Sequence, residues 1–304
     1  MMRNLDRKQD AILITGPTAS GKSALAVRLA REHDGVVVNA DSMQVYDTLN
    51  ILTARPQPED MGGIDHRLYG HVPAGAAYST GDWQREATGL VAELRARGKL
   101  PVFVGGTGLY FRALTGGLAD MPVIPDDVRE RVRGRLAAEG TEALHRDLAG
   151  RDPQTAARLK PGDGQRILRA LEVLETTGRS ISTFQAAAGP AVIDPERAEK
   201  IVVLPDRAVL AKRINRRFAT MLTSGAVEEV KALLALDLSP AMPVMKAIGV
   251  PQIAAMLVGE MSEAEVIERG AAATRQYAKR QMTWFRNQLD DSWQRIDPLS
   301  SSVE

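Results

Sequence analysis

Short apolar runs alternate along the chain with stretches in which apolar residues recur at helical spacing. Ala11-Ile-Leu-Ile-Thr15, Val36-Val-Val-Asn-Ala40, Pro101-Val-Phe-Val-Gly105 and Ile201-Val-Val-Leu204 read as short buried strands. Helical spacing follows the first of them over residues 24–30 and precedes the third over about 82–97. Strands separated by helices predict an α/β fold with a parallel sheet and helices on both faces. From 126 to about 185 the periodicity is helical throughout. That segment lies between two junctions rich in glycine and proline, Gly116-Gly117 with Met121-Pro-Val-Ile-Pro125, and Ala188-Gly-Pro-Ala-Val-Ile-Asp-Pro195. The pattern predicts a core of residues 1–115 and 199–304, interrupted by an all-helical insertion over 116–198. Beyond the fourth strand, Asp206-Arg207 opens a helix and another covers 226–236. Ser262-Glu-Ala-Glu265 has capping-box form at the head of a long C-terminal helix.

The first strand runs directly into Gly16-Pro-Thr-Ala-Ser-Gly-Lys-Ser23. Strand, glycine loop and helix is the setting of a phosphate-binding P-loop, so the expected core is P-loop NTPase-like. Gly16 and Gly21 let the backbone curl until consecutive N–H groups point at an anion, and the helix N-terminus adds partial positive charge. Gly16, Pro17, Thr18, Ala19, Ser20, Gly21, Lys22 and Ser23 are therefore the expected diphosphate or nucleotide cradle. Lys22 would reach the terminal oxygens, and the Ser23 hydroxyl would ligate a magnesium ion (Mg2+). The second strand delivers Asp41-Ser-Met-Gln-Val-Tyr46 to the same carboxyl rim. There Asp41 is either a chemical group or a helix N-cap. The third strand ends in Gly105-Gly-Thr-Gly-Leu-Tyr110, whose glycines allow close backbone approach and whose Thr107 presents a hydroxyl.

Composition narrows the classes of function. A net charge of +1 over 304 residues gives a weak global field, so a nucleic-acid partner needs a local basic face. Three such faces stand out. Asp163-Gly-Gln-Arg-Ile-Leu-Arg169 sets Arg166 and Arg169 on one helix face. Lys212, Arg213, Arg216 and Arg217 cluster just after the fourth strand and point back at the phosphate rim. The C-terminal helix carries Arg275, Lys279 and Arg286 on one face, with Arg280 beside them and Tyr277, Trp284 and Phe285 interleaved. Basic residues with aromatics suit RNA; for the first and third faces a solvated surface, or for the third a partner-binding helix, is the plainer alternative. The absence of cysteine excludes disulfides, a thiol nucleophile and a cysteine zinc site. The polar N-terminal residues do not read as a secretory signal, and no apolar run approaches the ~20 residues of a membrane span. A cytoplasmic setting without membrane contact or an obligate protein partner is the expectation.

Taken in order, these motifs resemble the bacterial tRNA dimethylallyltransferase (tRNA isopentenyltransferase) family. The likeness runs from Gly16–Ser23 through Asp41–Tyr46 and Gly105–Tyr110 to Gln165-Arg166, Arg216-Arg217-Phe218 and Thr274-Arg-Gln-Tyr-Ala-Lys-Arg-Gln281. The resemblance implies transfer of a dimethylallyl group from dimethylallyl diphosphate to the exocyclic amine of the adenine 3′-adjacent to the anticodon, with the tRNA anticodon stem-loop as partner. It implies catalytic roles for Asp41, Thr107, Lys22 and Arg217, with Arg217 as a second cation on the diphosphate. It implies tRNA contacts at Asp41, Ser42, Met43, Gln44, Thr107, Arg129, Gln165, Arg166, Ile167, Leu168 and Arg169, and in the segment 246–251. Arg275, Lys279 and Arg280 then become a candidate backbone clamp. The chain departs from many relatives at Leu52, where they carry glycine, at Arg55, where they carry lysine, and at Val250-Pro251, where some carry arginine. Two enzymatic alternatives remain: a P-loop kinase acting on nucleosides or nucleotides with ATP, and a prenyltransferase acting on free adenine nucleotides. A non-catalytic P-loop protein that binds RNA is the third.

Overall fold

The computed structural model describes residues 9–297 except Asp120 and Ala188. The remaining residues of the polar N-terminus, 1–8, lie outside this range, as do 298–304. Within it the chain divides into two compact units, one of residues 9–115 with 192–297 and one of Gly116–Ala191.

The first unit is built on a six-stranded sheet in the order β3-β2-β4-β1-β5-β6. Its strands are β1 Ala11–Thr15, β2 Gly35–Asn39, β3 His66–Arg67, β4 Leu100–Gly105, β5 Ala198–Val203 and β6 Gln294–Ile296, and every pairing is parallel. The four apolar runs are β1, β2, β4 and β5. They lack polar alternation because both faces of the sheet are covered. Ile12, Ile14, Val37, Val102, Val104, Ile201 and Val203 pack on Leu25, Ala26, Leu29 and Ala30 of the helix Lys22–Glu32. On the other face Phe103 meets Trp83 of the helix Thr80–Ala96, edge-on at 6.1 Å between ring centroids. Each fully buried Ile or Leu of β1 contributes about 2 kcal/mol relative to exposure, so the strand is anchored before any ligand binds. The loop that follows inherits that anchorage.

β1 lies between β4 and β5, and the chain builds one side of the sheet before crossing to the other. In open parallel sheets such a reversal leaves a crevice at the carboxyl ends of the strands. The loops after β1, β2 and β4 all open there. β3 and β6 are edge strands of two and three residues that carry no apolar run. Their sequences predict nothing, and only pairing with β2 and β5 defines them.

The C-terminal layer consists of helices Arg207–Met221, Val227–Leu234, Val250–Leu257 and Glu263–Gln288. Ser262 caps the last as its sequence predicts, accepting from the Glu265 N–H while Glu265 accepts from the Ser262 N–H. Gly270 lets this helix meet Phe218, whose ring would lie 1.9 Å from a Cβ at that position. Leu52 packs against Gly249, where a Cβ would lie 2.6 Å from the leucine side chain. That contact accommodates the departure at Leu52. No helix among the described residues is long and apolar enough to cross a membrane.

The second unit contains helices Asp126–Glu139, Thr141–Arg151, Pro153–Ala156, Gly164–Thr177 and Ile181–Gln185. Val128, Val132, Leu144, Leu148, Ile167 and Leu171 form its core. It ends at Ala191, not at 198. The reason is local: the Val192 and Ile193 N–H groups both donate to the Leu114 carbonyl, at 2.9 and 3.0 Å, and pin residues 192–198 to the first unit.

Candidate active site

The chain after β1 turns sharply. Gly16 lies so close to β5 that a Cβ would sit 2.7 Å from the Val203 carbonyl oxygen. Ala19 and Gly21 adopt left-handed backbone, with φ of 64° and 91°. Gly21 heads the helix Lys22–Glu32, which has no capping side chain and no acidic residue in its first turn. Its first N–H groups are therefore left for an anion. Ser20 N–H and Lys22 Nζ both donate to the Pro17 carbonyl, at 3.3 and 3.2 Å, and close the loop on itself.

Two cations face this loop. Loss of solvation pulls Lys22 down to about 8; the neighbouring Arg217 adds to the effect, and Asp41 opposes it. Arg217, from the helix Arg207–Met221, is likewise lowered to about 10, by burial first and by Arg213 second, with Asp41 opposing. Its guanidinium donates to the Thr18 hydroxyl. Of the expected cluster on that helix only Arg213 and Arg217, four apart, are turned inward; Lys212 and Arg216 are exposed. Helical periodicity separates the pairs, so the expected cluster of four at the rim is corrected to two.

Asp41 sits two residues beyond the end of β2 at Asn39 and is held by its neighbours. Asn39, fully buried, accepts from the Asp41 N–H at 2.9 Å and donates to the Asp41 and Leu68 carbonyls. One Asp41 oxygen accepts from the Met43 N–H at 3.0 Å, closing a turn. No helix starts there, so Asp41 is not a helix N-cap. Among the described residues its second oxygen carries no hydrogen bond. Thr107 meets this turn from the loop after β4. Its hydroxyl accepts from the Ser42 N–H at 2.9 Å, and its N–H donates to the Ala40 carbonyl at 3.2 Å. Gln44 donates to the Thr53 and Ala54 carbonyls, both at 2.9 Å. Arg55 is structural, bonding Asn50 and the Tyr46 carbonyl.

Lys22, Asp41, Thr107 and Arg217 thus come together in the first unit. Tyr69, Tyr110 and Tyr277 stand around Asp41, and burial together with its charge pushes their phenols up. Tyr69, Asn39 and Gln281 join the residues that the sequence marks for the site. For Asn39 a signal existed, a polar residue inside the run Val36-Val-Val-Asn-Ala40. Gln281 closes the Thr274–Gln281 motif, but nothing in the sequence points to its partners.

The other expected contacts divide. In the first unit Lys279 and Arg280 are exposed, and Arg280 lies 5.7 Å over the Tyr277 ring. Arg275 is bonded to Asn215. Phe285 is buried, which removes it from the basic face, whereas Trp284, half-buried against Gly108, lines a surface pocket with Lys279 and Arg280. Val250 is also buried, which removes its side chain from the expected 246–251 contact. In the second unit Gln165 and Arg166 are exposed, Arg129 pairs with Asp126 at 3.7 Å and Arg169 with Glu172 at 3.5 Å. Ile167 is fully buried there and Leu168 packs beside it, so the expected role of Ile167 in binding RNA is corrected to a core role.

Comparison with known proteins agrees with this geometry. The sequence model of the IPP transferase family matches residues 44–288, and that of isopentenyl transferase matches residues 9–71. The chain is 71% identical over 297 residues to a tRNA dimethylallyltransferase of Rhizobium meliloti, covering 98% of both chains. It is 69% identical to one of Agrobacterium fabrum, covering 98% of this chain and all of the other. The crystal structure of a full-length tRNA isopentenylpyrophosphate transferase from Bacillus halodurans superposes with a TM-score of 0.67 at 34% identity, over 95% of this chain and 90% of that one. A eukaryotic dimethylallyltransferase captured acting on tRNA gives a TM-score of 0.79 at 27% identity, over 96% of this chain and 75% of that one. With two relatives near 70% identity from end to end, the same fold in solved structures and the rim residues gathered on one crevice, the chain belongs to the tRNA dimethylallyltransferase family.

Proposed function

We propose that the protein transfers the dimethylallyl group of dimethylallyl diphosphate to the exocyclic amine of the adenine just 3′ of the anticodon in tRNA, releasing diphosphate. The observation that carries this reading is the meeting of Lys22 and Arg217, two desolvated cations, with the Asp41 carboxylate close enough to oppose both their shifts. In the transfer the donor carbon–oxygen bond breaks and its electron pair leaves on the diphosphate. The amine nitrogen supplies the pair for the new nitrogen–carbon bond, and the proton it sheds passes to Asp41. Negative charge grows on the leaving oxygen, which Lys22, Arg217 and the free N–H groups of the loop stabilise. Each such preorganised donor is worth about 3–4 kcal/mol. Met43 N–H occupies one oxygen of Asp41 and leaves the other for the amine.

Magnesium fits the residues present. The Ser23 hydroxyl is exposed at the head of the helix and carries no hydrogen bond among the described residues. Among the described residues no cluster of three or more His, Asp or Glu builds a protein cage there. A magnesium ion held by one hydroxyl, substrate phosphates and water matches the ordinary habit of that ion. Ser23 would hold it, and when bound it would neutralise charge on the diphosphate.

The adenine must leave its stack to reach Asp41. Names and structures of the relatives favour tRNA over a free nucleotide. On this reading Lys279, Arg280, Arg129, Gln165 and Arg166 contact the RNA backbone of the anticodon stem-loop. A tRNA substrate fits a cytoplasmic setting.

The test is incubation with magnesium, dimethylallyl diphosphate and unmodified tRNA, without ATP, followed by mass analysis of the digested nucleosides. The expected product is an adenosine heavier by one dimethylallyl group. Prenylated free nucleotides with untouched tRNA would remove the RNA half of the proposal. Consumption of ATP with neither product would establish a kinase instead.

A further inference from the structure

The C-terminal helix Glu263–Gln288 sends one uncharged side chain into the site. Gln281 is 6% exposed, and both ends of its amide are engaged. Oε1 accepts from the Thr18 N–H at 3.0 Å, and Nε2 donates to the Gly106 carbonyl at 2.9 Å. These partners fix the amide orientation, because reversing it would set donor against donor and acceptor against acceptor. One partner belongs to the phosphate loop after β1, the other to the loop after β4 that carries Thr107. Gly106 makes the contact possible, since a Cβ there would lie 2.2 Å from Nε2. Gly108 gives the same clearance to Trp284, three residues further along the helix, where a Cβ would lie 2.4 Å from the indole ring.

We propose that Gln281 is a positioning residue for prenyl transfer, a strut that holds the phosphate loop and the Thr107 loop in one fixed register. The proposal rests on the reading of the first loop as a diphosphate cradle. The leaving group sits on that loop, and the Asp41 turn that receives the amine is bonded to the second. A shift between the loops therefore separates the two halves of the reaction, and small misplacements of reacting groups are costly in rate. Glutamine meets the requirement because it offers a donor and an acceptor on one planar group without a charge. Glutamate would set an anion against the diphosphate, and methionine would leave the Thr18 N–H and the Gly106 carbonyl unpaired.

The strut can be cut from either end, by Gln281→Met, which nearly conserves volume, or by Gly106→Ala, which displaces Nε2. Two hydrogen bonds lost at a buried site predict that each variant binds inorganic pyrophosphate about tenfold more weakly by titration calorimetry. The KM for dimethylallyl diphosphate should rise and kcat fall, each by about tenfold, while the Kd for tRNA without the donor stays within about twofold. The double variant should be no worse than the poorer single one. Unchanged pyrophosphate binding, with activity lost only in step with a lower Tm, would make Gln281 a purely structural residue and overturn the proposal. So would additive effects, or weaker tRNA binding with intact pyrophosphate binding, which would place Gln281 on the RNA face. If the wild-type protein transfers no prenyl group, the functional reading fails, and the pyrophosphate arm still decides whether the strut shapes the loop.

Discussion

Two glycine loops meet at the crevice, and apart from Gly16, which makes room for Val203, their glycines are there for opposite reasons. In Gly16–Ser23 the backbone itself needs the freedom: Gly21 has φ of 91° and Ala19 of 64°, the conformations that turn N–H groups toward an anion. In Gly105–Gly108 no residue has positive φ. Each glycine there makes room for a protein neighbour. A Cβ on Gly105 would lie 2.0 Å from the Ala40 carbonyl, one on Gly106 against Gln281, and one on Gly108 against Trp284. From sequence alone both loops suggest close backbone approach to a ligand. The second instead admits the backbone just after β2 and the C-terminal helix, and its contribution to chemistry is confined to Thr107. A glycine motif reports that something comes near, and only the neighbours say what.

The largest expected effect comes from the charge on the first loop. Lys22→Met should lower kcat/KM for dimethylallyl diphosphate by about 10²–10³-fold, the usual loss for one preorganised donor. Because Lys22 holds its charge against desolvation, its removal should not lower the Tm. Initial rates and a thermal melt on the same preparation check both halves. A large fall in Tm would show that Lys22 supports the fold of the loop, and the contrast between the loops would weaken.

Next is a side chain in the second loop. Gly105→Ala places a Cβ against the backbone of Ala40, 2.0 Å from its oxygen and 2.1 Å from its carbonyl carbon, where no flexible side chain can yield. Overpacking of this kind costs about 3 kcal/mol, at the upper end of its usual range. Denaturant unfolding should show it, with pyrophosphate affinity of the folded fraction retained. Loss of pyrophosphate binding without loss of stability would mean that this loop, too, touches the ligand.

A pH series separates the loops further. Lys22 is a cation below about 8 in the free protein, so kcat/KM for the donor should fall as pH rises through that value, about tenfold between pH 7 and 9. Bound diphosphate favours the protonated amine, so kcat at saturating donor should persist to higher pH. Lys22→Met should remove the inflection near 8, whereas variants in the second loop should keep it.

What the sequence revealed follows from burial and periodicity. β1, β2, β4 and the second half of β5 were legible because strand segments buried on both faces read as continuous apolar runs. The phosphate loop was legible because its function constrains its own backbone. β3 and β6 were hidden because edge strands are short and carry no apolar run. Gln281 stood in a quoted motif, but its bridging role was hidden for a different reason: it lies among Lys279, Arg280 and Arg286, and its partners are 263 and 175 residues away in sequence. Ile167 was misplaced because a run of motif residues was taken whole, although helical spacing buries every third or fourth of them.

The smallest expected effect tests what remains of the second loop's chemical part. Thr107→Val keeps the shape and removes the acceptor of the Ser42 N–H. Losing one such bond costs about 0.5–1.5 kcal/mol. The backbone bond from Thr107 N–H to the Ala40 carbonyl survives the change, so the loop itself should stay in place and the Tm should hardly move. The Asp41 turn, however, loses one of its ties. The expected result is a fall in kcat of about three- to tenfold, with KM for dimethylallyl diphosphate unchanged because the cradle is untouched. A rise in that KM would show that Thr107 reaches the diphosphate as well. The division of labour, first loop for the leaving group and second for the aspartate turn, would then have to be redrawn.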